Sequence, residues 1–107
     1  MRFLTAKNLR FAYELLGEGP GIALTSGGMY PMEFLLPLAR NLAADFKVLV
    51  YDRRNTGRSE FSFDPKQHEF EHFADDLYCI LRKLDMIPCH IGGGSVGAIV
   101  SLIYAYR

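Results

Sequence analysis

Apolar residues along this chain alternate between two rhythms, and the alternation predicts strands interleaved with helices. Phe11-Ala12-Tyr13-Glu14-Leu15-Leu16 reads as a strand, paired in a hairpin with the first residues across Lys7-Asn8. Gly17-Glu18-Gly19-Pro20-Gly21 is a loop by its glycine and proline density. Ile22-Ala23-Leu24-Thr25 then makes a short buried strand that stops at Ser26-Gly27-Gly28. From Pro31 to Ala44 the apolar positions Phe34, Leu35, Leu38, Leu42 and Ala43 follow a helical period. Pro37 falls inside that stretch, so the helix is expected to kink there or to begin later. Phe46 to Tyr51 is the next strand, and Phe70 to Leu84 a helix striped by Phe73, Leu77, Ile80, Leu81 and Leu84. An apolar run over Met86 to Ile91 and a Val/Ile-rich one over Ala98 to Ile103 complete the pattern. Strands and helices alternating at this spacing predict an α/β fold: a mostly parallel sheet with helices on both faces.

Between the last two apolar runs lies Gly93-Gly94-Ser95-Val96-Gly97, a G-x-S-x-G pattern set between a strand and a helix. In that context the pattern describes a nucleophile elbow, a sharp turn that lifts one serine hydroxyl above the sheet. Strand and helix pass close together there, so the positions two residues either side must be nearly bare. Gly93 and Gly97 meet that demand, which makes Ser95 the candidate nucleophile of an acyl-transfer enzyme.

Composition narrows the setting. The 107 residues suffice for one domain with a modest core, and 50% hydrophobic against 22% charged residues is a globular composition. Twelve basic residues balance twelve acidic ones, which offers no footprint for nucleic acid or an anionic membrane. No apolar stretch approaches the ~20 residues of a membrane span, and Met1 to Lys7 carries no apolar signal region. Cys79 and Cys89 lack C-x-x-C spacing; packed, reduced thiols and a cytoplasmic location are expected.

Ligands of such sheets sit beyond the carboxyl ends of the strands. Three turns reach that edge: Ser26-Gly27-Gly28, Asp52 to Ser59, and the serine elbow. Together they resemble the N-terminal part of an α/β-hydrolase, of the serine esterase or lipase kind. Asp52-Arg53-Arg54-Asn55-Thr56-Gly57-Arg58-Ser59 is similar to that superfamily's D-x-R-G-x-G-x-S turn, with Asn55 where glycine is usual. Asparagine is the best substitute if the position needs a left-handed backbone. Ala74-Asp75-Asp76-Leu77, followed by Leu81 and Leu84, resembles the helix before the elbow strand.

The resemblance implies residue roles. Asp52 and Arg54 would brace their turn by hydrogen bonding. The oxyanion hole would come from two backbone amides, by position those of Val96 and Gly28, with Met29 the alternative. The superfamily's His-Gly after the third strand is Ser26-Gly27 here, a change that backbone donors tolerate. Tyr30 and Met29, just past that loop, either line an acyl pocket or simply pack it.

A serine hydroxyl needs a histidine to take its proton and a carboxylate to hold that imidazole. In this fold both follow the serine in chain order, yet Val96 to Arg107 contain neither. Residues 1–107 are therefore expected to be a single incomplete domain, the front of a serine hydrolase acting on ester-like acyl substrates and silent alone. A small-molecule acyl substrate is the expected partner, with no cofactor. The unfinished sheet edge would invite self-association. Two other readings remain: a proline iminopeptidase-like fragment, favoured by Gly92 to Ser95 and the Asp52 turn, and a non-catalytic remnant or association module. The first lacks that branch's glycine-glycine-proline-glycine signature after the third strand.

The three histidines are weaker candidates. His90 lies within the elbow strand, where its ring is expected to point into a sheet face. His68-Glu69-Phe70-Glu71-His72 matches H-E-x-x-H, a zinc-protease pattern, and its inversion H-x-x-E-H. Acidic residues in a helix's first turn also suit the helix dipole, and no third ligand is evident. Two exposed histidines without a third ligand hold metal weakly. The purified protein is therefore expected to carry no stoichiometric zinc. Elemental analysis finding one tightly held zinc per chain, lost in His68→Ala, would contradict this.

Overall fold

A computed structural model describes residues 1–107. Five strands, β1 (Arg2–Ala6), β2 (Leu9–Leu16), β3 (Gly21–Thr25), β4 (Lys47–Tyr51) and β5 (His90–Gly93), form one mixed sheet in the order β1-β2-β4-β3-β5. The hairpin β1–β2 turns on Lys7 and Asn8, both with positive φ, as a two-residue turn matched to strand twist requires. β2 pairs antiparallel with β4, while β4, β3 and β5 run parallel. Those three parallel strands carry the turns of interest at their carboxyl ends.

Helices cover both faces. In β4, Val48 and Val50 point one way and Leu49 and Tyr51 the other; all four are fully buried, the mark of a central strand apolar on both sides. One face packs Leu49 and Tyr51 with Phe11 and Ala23 against Leu77, Ile80 and Leu81 of α2 (Glu69–Lys83). Helix α3 (Val96–Tyr106) lies beside α2, with Val100 packed on Phe73 and Ala74. The other face packs Val48, Val50 and Leu24 against Met32 and Ala39. No helix is long and apolar enough to cross a membrane.

The expected helix from Pro31 to Ala44 divides. A 3-10 turn spans Met32–Leu35 and α1 only Leu36–Leu42, with Pro37 in its first turn, where a missing N–H costs nothing. The division also shifts the face: Phe34 and Leu38 are exposed, while Met32 and Ala39 are fully buried.

Two constraints place the turns. Arg54 donates from Nε and Nη2 to the two carboxylate oxygens of Asp76 at 2.6 and 2.7 Å, a buried pair tying the loop after β4 to α2. Helix α3 leaves β5 so close to β3 that a Cβ on Gly97 would stand 2.1 Å from the Thr25 carbonyl oxygen, and one on Gly93 2.5 Å from it. In the full-length protein, Asp76→Ala strands a buried guanidinium and should cost about 3–5 kcal/mol in urea unfolding. Gly97→Ala should cost about 1–3 kcal/mol by overpacking. A loss below about 0.5 kcal/mol in either variant would contradict these roles.

Candidate active site

The elbow is built by the backbone. Ser95 sits between β5 and α3 with φ 55° and ψ −118°, a conformation that L side chains rarely adopt and that persists only where surroundings impose it. Those surroundings are the bare Gly93 and Gly97 against β3. Gly94 has open space where a side chain would go, so it is free of this constraint. Ser95 is exposed and its hydroxyl makes no cap hydrogen bond. Val96, the first residue of α3, has an N–H with no acceptor within the helix.

Facing the elbow is the loop after β3. A Cβ on Gly27 would come within 2.7 Å of the Gly94 carbonyl oxygen and 3.1 Å of Ser95 Cβ, so this loop lies directly against the serine. It folds back on itself: Tyr30 N–H donates to the Gly27 carbonyl at 3.1 Å, and Ser26 Oγ to the Tyr30 carbonyl at 2.8 Å. Ser26, standing where histidine is usual in the resembled family, thus pins the turn. Gly28 has φ 52°. The amides of Gly28 and Met29 have no backbone acceptor. Gly28, Met29, Arg53, Phe70, Phe73 and Val96 line one cavity of about 220 Å³. Of the two residues past the loop, Met29 reaches this cavity, whereas Tyr30 packs on Phe34 in a tilted pair, 4.5 Å between centroids.

The third turn braces the other two. Asp52 is fully buried; its Oδ1 accepts from Met32 N–H at 2.7 Å and its Oδ2 from Arg58 N–H at 3.0 Å. With both oxygens committed to backbone amides, it holds loops rather than reacting groups. Gly57 is bare because any Cβ would stand 2.3 Å from Asp52 Oδ2. Ser59 Oγ donates to the Asp52 carbonyl at 2.6 Å and accepts from Ala12 N–H at 2.9 Å, stitching the turn to β2. Asn55 has φ 65° and exchanges hydrogen bonds with the Ser62 backbone. Arg54 is held by Asp76, as described.

Arg53, given no role by the sequence pattern, is also buried. Its Nη2 donates to the Gly28 carbonyl and its guanidinium lies over the Phe73 ring, 4.8 Å from the centroid. Burial pushes it below the ordinary arginine range, though a guanidinium stays charged at neutral pH. Nothing in the sequence separates it from the adjacent Arg54.

The histidines do not join the elbow. His90 is exposed on the edge strand β5, which it opens opposite Ile22, at the far end from Ser95. His68 is the N-cap of α2 with extended backbone, its Nδ1 accepting from Phe70 N–H at 3.1 Å. Because it stands outside the helix, the i, i+4 geometry that would aim two imidazoles at one metal is absent. His72 is buried, against the expectation of an exposed pair, because it lies on the packed side of α2; its Nε2 is 3.5 Å from Asp64 Oδ2. No group of three potential metal ligands comes together. A larger hollow of about 650 Å³, between Lys7, Tyr78, Cys79 and Tyr104, shares no residue with the three turns.

Comparison with known proteins places this geometry. The family described as the alpha/beta hydrolase fold matches residues 20–107. An uncharacterized hydrolase, YraK, of Bacillus subtilis (strain 168) is 32% identical over 95 residues, covering 89% of this chain and 35% of the relative. A protein provisionally named a carbamate hydrolase, RutD, of Pantoea ananatis (strain LMG 20103) is 34% identical over 99 residues, covering 89% of this chain and 36% of its own. The enol-lactonase of Burkholderia xenovorans LB400 superposes with TM-score 0.91 at 24% identity, over 99% of this chain and 42% of that one, a likeness of fold. The chain spans about a third of the length of the curated relatives it matches. With a family match over most of its length and hydrolases among its relatives, the chain belongs to the alpha/beta hydrolase fold family.

Proposed function

We propose that Ser95 is the nucleophile of a serine hydrolase acting on small ester-like acyl substrates. The observation that carries this reading is the backbone of Ser95, left-handed at φ 55° and held so by two bare glycines against β3. Strain of this kind is kept where it serves a site, and here it raises an exposed hydroxyl beside unpaired amides.

In this reading Ser95 Oγ attacks the substrate carbonyl carbon and loses its proton to a base. The carbonyl oxygen becomes an oxyanion received by N–H groups of Val96 and of the Gly28–Met29 loop; donors so placed are worth about 2.7–4 kcal/mol each. Collapse of the tetrahedral intermediate breaks the bond to the leaving group, which takes the proton. Water then attacks the acyl-serine by the same route and frees the acid. This reading assigns the histidine base and its carboxylate to no residue of Val96 to Arg107, which hold neither residue type. The cytoplasmic setting belongs to the same reading, from two free cysteines that form no disulfide. The provisional name of one relative, a carbamate hydrolase, also supports a carbonyl substrate, since a carbamate carries one.

In the full-length protein, Ser95→Ala should lower kcat on a p-nitrophenyl ester by at least about 10³-fold, because triad members act as a unit. Ser59→Ala should lower stability and leave kcat of the folded enzyme within about threefold, since Ser59 only stitches the turn to β2. Retention of most turnover by Ser95→Ala would sink the assignment.

A further inference from the structure

Arg53 is buried, 3% exposed, with no carboxylate in ion-pair contact. Its neighbour Arg54 shows the usual arrangement, a buried guanidinium paired with a buried carboxylate. Arg53 instead has an aromatic face at 4.8 Å and one neutral acceptor, the Gly28 carbonyl, and its Nε has no partner at all. A buried cation so thinly satisfied calls for an account beyond stability.

The account lies in what its one acceptor belongs to. Gly28–Met29 is the central peptide of the turn closed by Tyr30 N–H on the Gly27 carbonyl. Turn types I and II, like their mirror images, differ by a flip of that central peptide. The peptide is trans, so its carbonyl and the Met29 N–H point in opposite directions. A flip would replace an N–H donor with a carbonyl oxygen, which repels an oxyanion. Packing does little to prevent it, because Gly28 is exposed and Met29 is 77% exposed. Arg53 reaches this peptide with its guanidinium anchored over Phe73 of α2.

We infer that Arg53 is a positioning residue for the oxyanion hole: by holding the Gly28 carbonyl it locks the central peptide and keeps the Met29 N–H turned outward as a donor. The inference rests on the proposed reading of Ser95 as nucleophile. It also assigns the Met29 amide, beside that of Gly28, a part in the hole. Sequence position alone favoured Gly28, because a carbonyl clamp cannot be read from a residue string.

The test compares Arg53→Met and Arg53→Lys in the full-length enzyme, with active sites counted by fluorophosphonate titration. For Arg53→Met, kcat per titrated site should fall about 10- to 100-fold with KM within about threefold, since the hole is used in the transition state more than in the ground state. Affinity for a boronic acid that forms a tetrahedral adduct should fall in parallel, and affinity for the product acid should not. Arg53→Lys, which keeps a cationic donor on a shorter reach, should recover part of kcat; if Arg53→Met does not fold, a severalfold kcat loss in Arg53→Lys with KM unchanged supports the inference. Wild-type kcat per titrated site, with only a lower melting temperature or fewer active sites, would overturn it. So would a boronate affinity that stays level while kcat falls. An active Ser95→Ala enzyme would instead overturn the nucleophile assignment, whereas a dead Ser95→Ala with full kcat in the Arg53 variants overturns this inference alone.

Discussion

The Thr25 carbonyl oxygen lies where two chain segments must cross, and the rest of the site follows from how they manage it. β5 and α3 both pass over it, and a Cβ on Gly93 or Gly97 would fall 2.5 and 2.1 Å from that oxygen. Glycine at both positions lets the segments cross at backbone distance, and the reversal from strand to helix must then happen within two residues, Gly94 and Ser95. Of these, Ser95 is forced to φ 55°. A conformation that would be a defect elsewhere becomes the feature that exposes a hydroxyl at the carboxyl edge of the sheet.

A strained turn persists only when its neighbours cannot move, and the loop after β4 supplies that rigidity. Asp52 spends its carboxylate on two backbone amides, Ser59 joins the loop to β2, and the Arg54–Asp76 pair fixes it to α2. The three turns are thus held by different kinds of contact. The elbow depends on close approach, the loop after β4 on buried hydrogen bonds, and the loop after β3 on its own turn and on Arg53.

The sequence made the skeleton legible because its signals are local. Short apolar runs bounded by turn residues marked β2, β3 and β4, and the stripe Phe73, Leu77, Ile80, Leu81 marked α2. The elbow was legible because glycine spacing reports a steric demand directly. Other features depend on contacts distant in sequence. Pro37 already announced the division of the Pro31–Ala44 stretch, but not the burial of Met32, whose N–H is captured by Asp52 20 positions away. His68 and His72 fail to share a helix face because His68 caps α2, one residue before its start at Glu69. Arg53 escaped notice because two consecutive arginines look alike in a string, while only one of them finds a carboxylate.

The central claim is that the fold singles out one hydroxyl, Ser95, as nucleophile. It is tested most directly by treating the full-length protein with a fluorophosphonate and locating the adduct by peptide mass spectrometry. The account predicts a single adduct on Ser95, formed at neutral pH and absent from the Ser95→Ala protein. An adduct on another residue, or an unmodified protein that nonetheless hydrolyses esters, would contradict it.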